Sequence, residues 1–135
     1  MKYPEQVLCR TLSASPEVAK HLGFRLFPLI APVSADLPLG VYRRSSAERE
    51  ESLTLPPGVV KTGLELELFA LSYATVRELA DACRKTLDHF GTSSQGVTVH
   101  RVTIDGETER MVQLEGGDLP PAWQVTMSLT IQWSE

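Results

Sequence analysis

The chain has 135 residues, a mass of 14.9 kDa, 42% hydrophobic and 22% charged residues, and a formal net charge of −4. These figures describe a single domain over 1–135, because domains commonly run to about 100–200 residues and one of this size builds a core without a disulfide framework or structural metal. They argue against a disulfide scaffold or zinc site, since Cys9 and Cys83 stand alone and read as reduced, buried thiols. The net charge argues against a broad positive field for nucleic acid, and the opening Met1-Lys2-Tyr3-Pro4-Glu5-Gln6 without an apolar run, with no stretch of about 18 continuous apolar residues anywhere, leads to the expectation of no secretory leader and no membrane span. Synthesis in the cytoplasm is the expectation.

Tyr3, Val7, Leu8, Thr11 and Leu12 recur at helical spacing after Pro4, a residue suited to a first turn, and predict a helix over about 4–13. Ser15-Pro16-Glu17 then places a capping serine, a proline at N1 and an acid in the first turn, ahead of Gly23 as the exit, for a second short helical turn. The apolar segment 24–30 contains Pro28 and suits an edge strand, since proline donates nothing to a ladder. Asp36-Leu37-Pro38 is a turn, and a strand follows over 39–44 with Val41 and Tyr42.

Residues 45–58, with Glu48, Arg49, Glu50, Glu51 and Pro56-Pro57-Gly58, read as a long exposed connection. Over 59–70, Leu64, Leu66 and Leu68 alternate with Glu65, Glu67 and Phe69, the period of a strand with one wet face. Ser72 caps a predicted helix over 72–90, with Val76, Leu79, Ala80, Cys83, Leu87 and Phe90 in one stripe and Gly91 closing it. Strands over 97–104 and 107–114 flank Asp105-Gly106, a type I′ hairpin signal, and 116–121 is a further turn. The last strand alternates without interruption, with Trp123, Val125, Met127, Leu129, Ile131 and Trp133 on one face.

The order helix, strands, helix, strands lacks βαβα repetition and predicts an α+β fold. A mainly antiparallel, twisted sheet of four to six strands is expected, with the long helix across its apolar face and the N-terminal helices at one side.

Signatures of catalysis are scarce. His21 and His89 sit in last turns, where a cation favours the helix dipole, and His100 lies mid-strand without a patterned partner. Glu65 and Glu67 share a strand face, which a solvated or inter-subunit surface explains more simply than a cation site. No nucleophile elbow, phosphate loop or H-E-x-x-H motif occurs, so the expectation is no enzyme, no cofactor and no metal. Arg43, Arg44 and Arg49 form a basic cluster that Glu48, Glu50 and Glu51 cancel, as in a protein-facing loop rather than a phosphate track.

Two blocks carry a likeness to a known family. Arg25-Leu26-Phe27-Pro28-Leu29-Ile30-Ala31-Pro32, then Leu37-Pro38 and Val41-Tyr42-Arg43-Arg44-Ser45, form a short strand, a P-x-x-A-P turn and an L-P-x-x-V-Y strand. Leu64-Glu65-Leu66-Glu67-Leu68-Phe69-Ala70 leads through Ser72-Tyr73 into Val76-Arg77-Glu78-Leu79-Ala80-Asp81-Ala82 and closes with Leu87-Asp88-His89-Phe90-Gly91. In order and spacing, over nearly the whole chain, these resemble the bacteriophage tail-completion proteins of long-tailed phages and prophages, also described as tail terminators or tail-to-head joining proteins. Gly40, where the family more often has a bulky residue, and the long 116–121 turn depart from its pattern.

The resemblance implies a structural virion protein at the head-proximal end of the tail. Copies of the chain would form a ring, hexameric in related systems, that caps the tail tube protein and meets a head-tail connector or stopper protein. DNA would pass through the lumen without specific binding, which a net negative charge suits because fixed cations would hold it. Heterologous contacts that close by rotation make such a ring. The expected contact residues are Arg43, Arg44, Glu48, Arg49, Glu50 and Glu51 in the long connection, and Asp105, Gly106 and Asp118 in the two turns. The alternatives are a small oligomerising or ligand-binding α+β module of non-phage role, with a polar pocket near His100, and a nucleic-acid module centred on Arg43, Arg44 and Arg49.

Overall fold

The structure, a computed structural model, describes residues 3–23, 25–29, 37–49, 59–88, 90–94, 96–112 and 122–134, with the backbone alone at 48, 49, 93 and 94. The elements run α1 (Pro4–Ala14), α2 (Pro16–Leu22), β1 (Leu26–Pro28), β2 (Leu39–Arg49), β3 (Val60–Ala70), α3 (Tyr73–Leu87), β4 (Thr92–Ser94), β5 (Val97–Val112) and β6 (Ala122–Ser134). The fold is α+β. Its six-stranded sheet has the order β1-β2-β3-β6-β5-β4, antiparallel throughout except for the parallel β1–β2 pair.

The central pair dictates the core. β3 and β6 register Leu64 opposite Leu129, Leu66 opposite Met127 and Leu68 opposite Val125, so the alternating apolar rows of both strands fall on one face. On that face α3 lays Val76, Leu79, Ala80, Cys83 and Leu87, all at most 1% exposed, and α1 and α2 add Val7, Leu8, Leu12, Val18 and Leu22. Each fully buried side chain of this size contributes about 1.5–3 kcal/mol relative to exposure, so no single element holds the fold alone. Thr62 and Trp133 are polar exceptions that satisfy each other, the indole Nε1 donating to Thr62 Oγ1 at 2.8 Å.

Local signals place most elements where the sequence puts them. Pro4 opens α1, and Ser72 Oγ accepts from Thr75 N at 3.1 Å to cap α3. Gly23, at φ 55°, takes the chain out of α2. Ser15 stands at the N-cap of α2 without capping through its side chain, which instead accepts a hydrogen bond from Thr86 Oγ1 at 3.3 Å and ties the helix pair to α3.

Three expectations are corrected. α3 ends at Leu87 with Asp88 as its C-cap, one turn before Gly91, and Phe90 and Gly91 pass beside β5: Val102 N donates to Phe90 O at 3.1 Å. β2 does not stop at 44; it continues to Arg49, pairing Ser46 with Gly63 and Arg49 with Val60 after a bulge between Arg44 and Ser46. The long connection therefore begins later than 45, and its remainder at 50–58 lies outside the described residues, as does the 116–121 turn.

The third correction concerns Asp105-Gly106, which forms no hairpin. β5 runs through it as one 16-residue strand against β6, with register shifts between Val99 and Arg101 and between Ile104 and Gly106. The dipeptide supplies a bulge, because an unbroken β6 offers a partner on both sides of it and the longer ladder outweighs the local turn preference. The bulge keeps Glu107, Glu109 and Met111 on the helix side of the sheet, opposite Met127, Val125 and Trp123.

Gly40 has a physical reason. A Cβ there would lie 2.8 Å from Leu26 Cδ1 and 3.2 Å from Leu68 Cδ2, because Gly40 sits in register between Leu26 of β1 and Leu68 of β3, whose side chains close over it. Gly40→Val is expected to cost about 1–3 kcal/mol through overpacking, read as a lower midpoint in urea unfolding with an unchanged slope.

Candidate functional site

The predicted cluster at the end of β2 is divided by the pleat. Arg43, on the face away from the helices, donates through Nε to Glu65 Oε2 at 2.9 Å, and its NH2 reaches Glu65 and, at 3.8 Å, Glu67 Oε1. Arg44, on the helix side, donates to both carboxylate oxygens of Glu5 at 3.0 Å and lies 5.8 Å from the centre of the Tyr3 ring. Successive strand residues point to opposite faces, so these neighbours in sequence serve two separate surfaces. Glu48 and Arg49 are placed by backbone only, at register positions opposite Lys61 and Val60; Glu50, Glu51 and Asp118 lie outside the described residues.

Asp105 is exposed on the outer face and accepts from Thr130 Oγ1 at 2.5 Å, while nothing lies within 4 Å of where a Gly106 side chain would begin. Along its middle the outer face is polar, with Thr126, Ser128 and Thr130 of β6 beside Glu67, Glu65 and Gly63 of β3, while Leu39 and Val41 of β2 lie buried on the same face. Arg110 Nε donates to Gln124 Oε1 at 2.8 Å, and Gln124 Nε2 donates to Thr126 Oγ1 at 3.2 Å. A row of hydroxyls, amides and paired charges offers hydrogen bonds without an excess of cations.

The two described histidines, His21 and His100, have different surroundings. His21 Nε2 lies 3.6 Å from Glu78 at the rim of an open groove with Glu17, Lys20 and Asp81, and His100 Nε2 is 2.8 Å from Ser134 Oγ. His89 lies outside the described residues. A second groove, between α1 and the end of α3, is lined by Val7, Arg10, Thr11, Thr86 and Phe90 among others. Neither groove includes His100, and among the described residues no group of three or more His, Cys, Asp or Glu is placed to hold a metal ion. No described helix is long and apolar enough to cross a membrane.

Among the described residues, the ionic cluster with the most partners on one side chain centres on Arg77, which sequence pattern alone does not single out. Arg77 of α3 donates from NH1 to Glu109 Oε1 at 2.7 Å and from NH2 to Glu107 Oε2 at 2.8 Å and Asp81 Oδ1 at 3.1 Å. Burial opposes the charge on Arg77, yet the hydrogen bonds to Glu107, Glu109 and Asp81 outweigh it and hold its pKa above the usual arginine value. Hydrogen bonds from Arg77 and then Tyr73 hold the Glu109 carboxyl below its ordinary range, and the bond to Glu109 raises the Tyr73 hydroxyl. Tyr73 also meets Trp123 edge to face, with ring centres 5.5 Å apart, and Tyr73, Leu71 and Met111 are exposed at this end of the sheet. The i,i+4 spacing of Arg77 and Asp81 was a visible signal; the two glutamates join only because β5 continues past its bulge.

Both thiols are free. Burial pushes the Cys9 thiol up to about 11 and that of Cys83 up to about 12, a Tyr42 hydrogen bond partly opposing the rise at Cys9. At pH 8 both are neutral, so alkylation by iodoacetamide should be much slower in native protein than in denaturant, Cys83 being the slower of the two.

No protein-family model matches the sequence, and no curated protein matches it. Among solved structures, the chain is similar to one from the virion of a native gene transfer agent particle. The TM-score is 0.67 at 10% sequence identity, over 95% of this chain and 92% of that one. At this identity the likeness shows a common fold, covering both chains almost end to end.

The Arg77 cluster has a pH signature. A carboxyl whose folded pKa is depressed contributes stability above its unfolded pKa, near 4.5 for Glu109, and loses it as pH falls through the folded value. Arg77→Met is therefore expected to melt below the parent at pH 7, with the gap narrowing as pH falls below about 4.5 and Glu109 protonates. A gap of constant size would show that the side chain acts through packing.

Proposed function

We propose that this chain is a structural virion protein, the subunit of a ring that caps a phage-type tail tube and joins it to the head-side connector. The observation that carries the reading is the near end-to-end fold likeness to a chain of a gene transfer agent virion, a phage-like assembly. It agrees in kind with the tail-completion resemblance, which rests on different evidence, the order and spacing of sequence blocks.

In this reading six copies form the ring at the head-proximal end of the tail. The ring meets tail tube protein on one side and connector or stopper protein on the other, and the chain works without catalysis or cofactor. The net charge of −4 and the paired arginines support a lumen through which DNA slides, since fixed unpaired cations would retain it. Arg43, Arg44, Glu48, Arg49, Glu50, Glu51, Asp105, Gly106 and Asp118 are proposed to contact neighbouring subunits or partner proteins.

Native mass measurement across a range of concentrations, followed by electron microscopy, tests this. Closed rings with a central hole, or capping of purified tail-tube ends by the added protein, are the expected result. A chain that remains monomeric and also fails to bind tube ends would overturn the proposal.

A further inference from the structure

Among the described residues, the sheet has two open stretches of edge. β1 covers β2 only at residues 40–42, where Leu29 N also donates to Tyr42 O, and β4 covers β5 only at 97–99, with Phe90 on Val102. Beyond these points, among the described residues, 43–49 of β2 and 105–112 of β5 have a partner strand on one side only. Their exposure agrees. Residues 43–47 are all exposed, as are 105–111 apart from half-buried Glu107, so little covers either face at these stretches.

Two properties make these edges complementary. The first is polarity: β2, β3, β6 and β5 alternate in direction, so β5 of one copy and β2 of a like-oriented copy beside it run antiparallel and extend the same alternation. The second is charge, face by face. β5 carries Asp105 on the outer face and Glu107 and Glu109 on the helix side, while β2 carries Arg43 on the outer face and Arg44 on the helix side. Over the whole stretches, β5 sets three acids against Arg110, and β2 sets three arginines against Glu48. Two β5 edges would place like charges together; β5 against β2 places opposites together, which selects a head-to-tail contact over a two-fold one.

We propose that copies of this chain assemble by strand addition, residues 105–112 of β5 in one copy pairing antiparallel with residues 43–49 of β2 in the next. This deepens the ring reading by naming the two surfaces that join. Main-chain hydrogen bonds supply the contact, and the charges set its partner and direction.

The test introduces Ser46→Cys and Thr108→Cys, two exposed edge positions, singly and together, and treats the purified chain with a short thiol-specific cross-linker. The parent serves as the control for Cys9 and Cys83. The double variant is expected to give a ladder of covalent oligomers, with both single variants remaining uncross-linked. Dimers from Thr108→Cys alone would mean that two β5 edges meet and would overturn the proposal. So would rings seen by microscopy that the double variant fails to cross-link, a result that leaves the ring reading standing. A monomer that does not cross-link overturns it as well. A cross-linked ladder of open filaments without closed rings would support the edge contact and count against the ring.

Discussion

Everything in this fold hangs on the registered pairing of β3 and β6. Two strands with strict apolar alternation are held side by side so that Leu64, Leu66, Leu68, Val125, Met127, Leu129 and Ile131 form one continuous surface, almost wholly withdrawn from water. A slip of one residue would turn every one of these side chains to the polar face, so the register is strongly specified. The amphipathic stripe of α3 has one place to go, and the N-terminal helix pair closes over what remains. The other strands add to this platform from both sides, and the outermost, β1 and β4, are only 3 residues each.

That geometry explains why the outlying strands carry the unusual features. β5 is 16 residues long and shifts register twice, each shift adding a residue without disturbing β6. The second shift brings Glu107 and Glu109 beneath α3, where Arg77 binds both along with Asp81. Three carboxylates about one guanidinium is an acid-rich arrangement at the end of the sheet, next to exposed Tyr73, Leu71 and Met111. At the opposite side of the sheet, β2 holds Arg43 and Arg44 on alternate faces, each matched to a glutamate of another element. A subunit with acids along one edge and arginines along the other suits head-to-tail addition, and a ring is the closed form of such addition.

The sequence was most legible where one signal acted alone. The start and apolar stripe of α3 as far as Leu87, with its serine cap, and strand β6, with its unbroken alternation, appear where periodicity puts them, as do α1, α2 and the short edge strand β1. It misled where a local preference competed with a distant partner. Asp-Gly favours a tight turn in isolation, yet β6 offered an uninterrupted ladder; the charged residues after Arg44 look like a loop, yet β3 paired with them as far as Arg49. Gly91 resembles a helix stop, but α3 ended earlier and the segment was drawn to β5.

By itself, then, the sequence determined the class of fold, the central strands, the core stripe of α3 and the absence of an excess of positive charge, because these follow from periodicity and composition within single segments. Only the tertiary structure decided that Arg43 and Arg44 act on opposite faces, that Arg77 gathers acids from a strand 30 residues away, and that, among the described residues, β2 and β5 each have a stretch paired on one side only, on opposite sides of the sheet. These are relations between segments. They depend on which strands pair, in what register and for how far, and that is settled by burying the whole apolar surface at once rather than by the preference of any one stretch of chain.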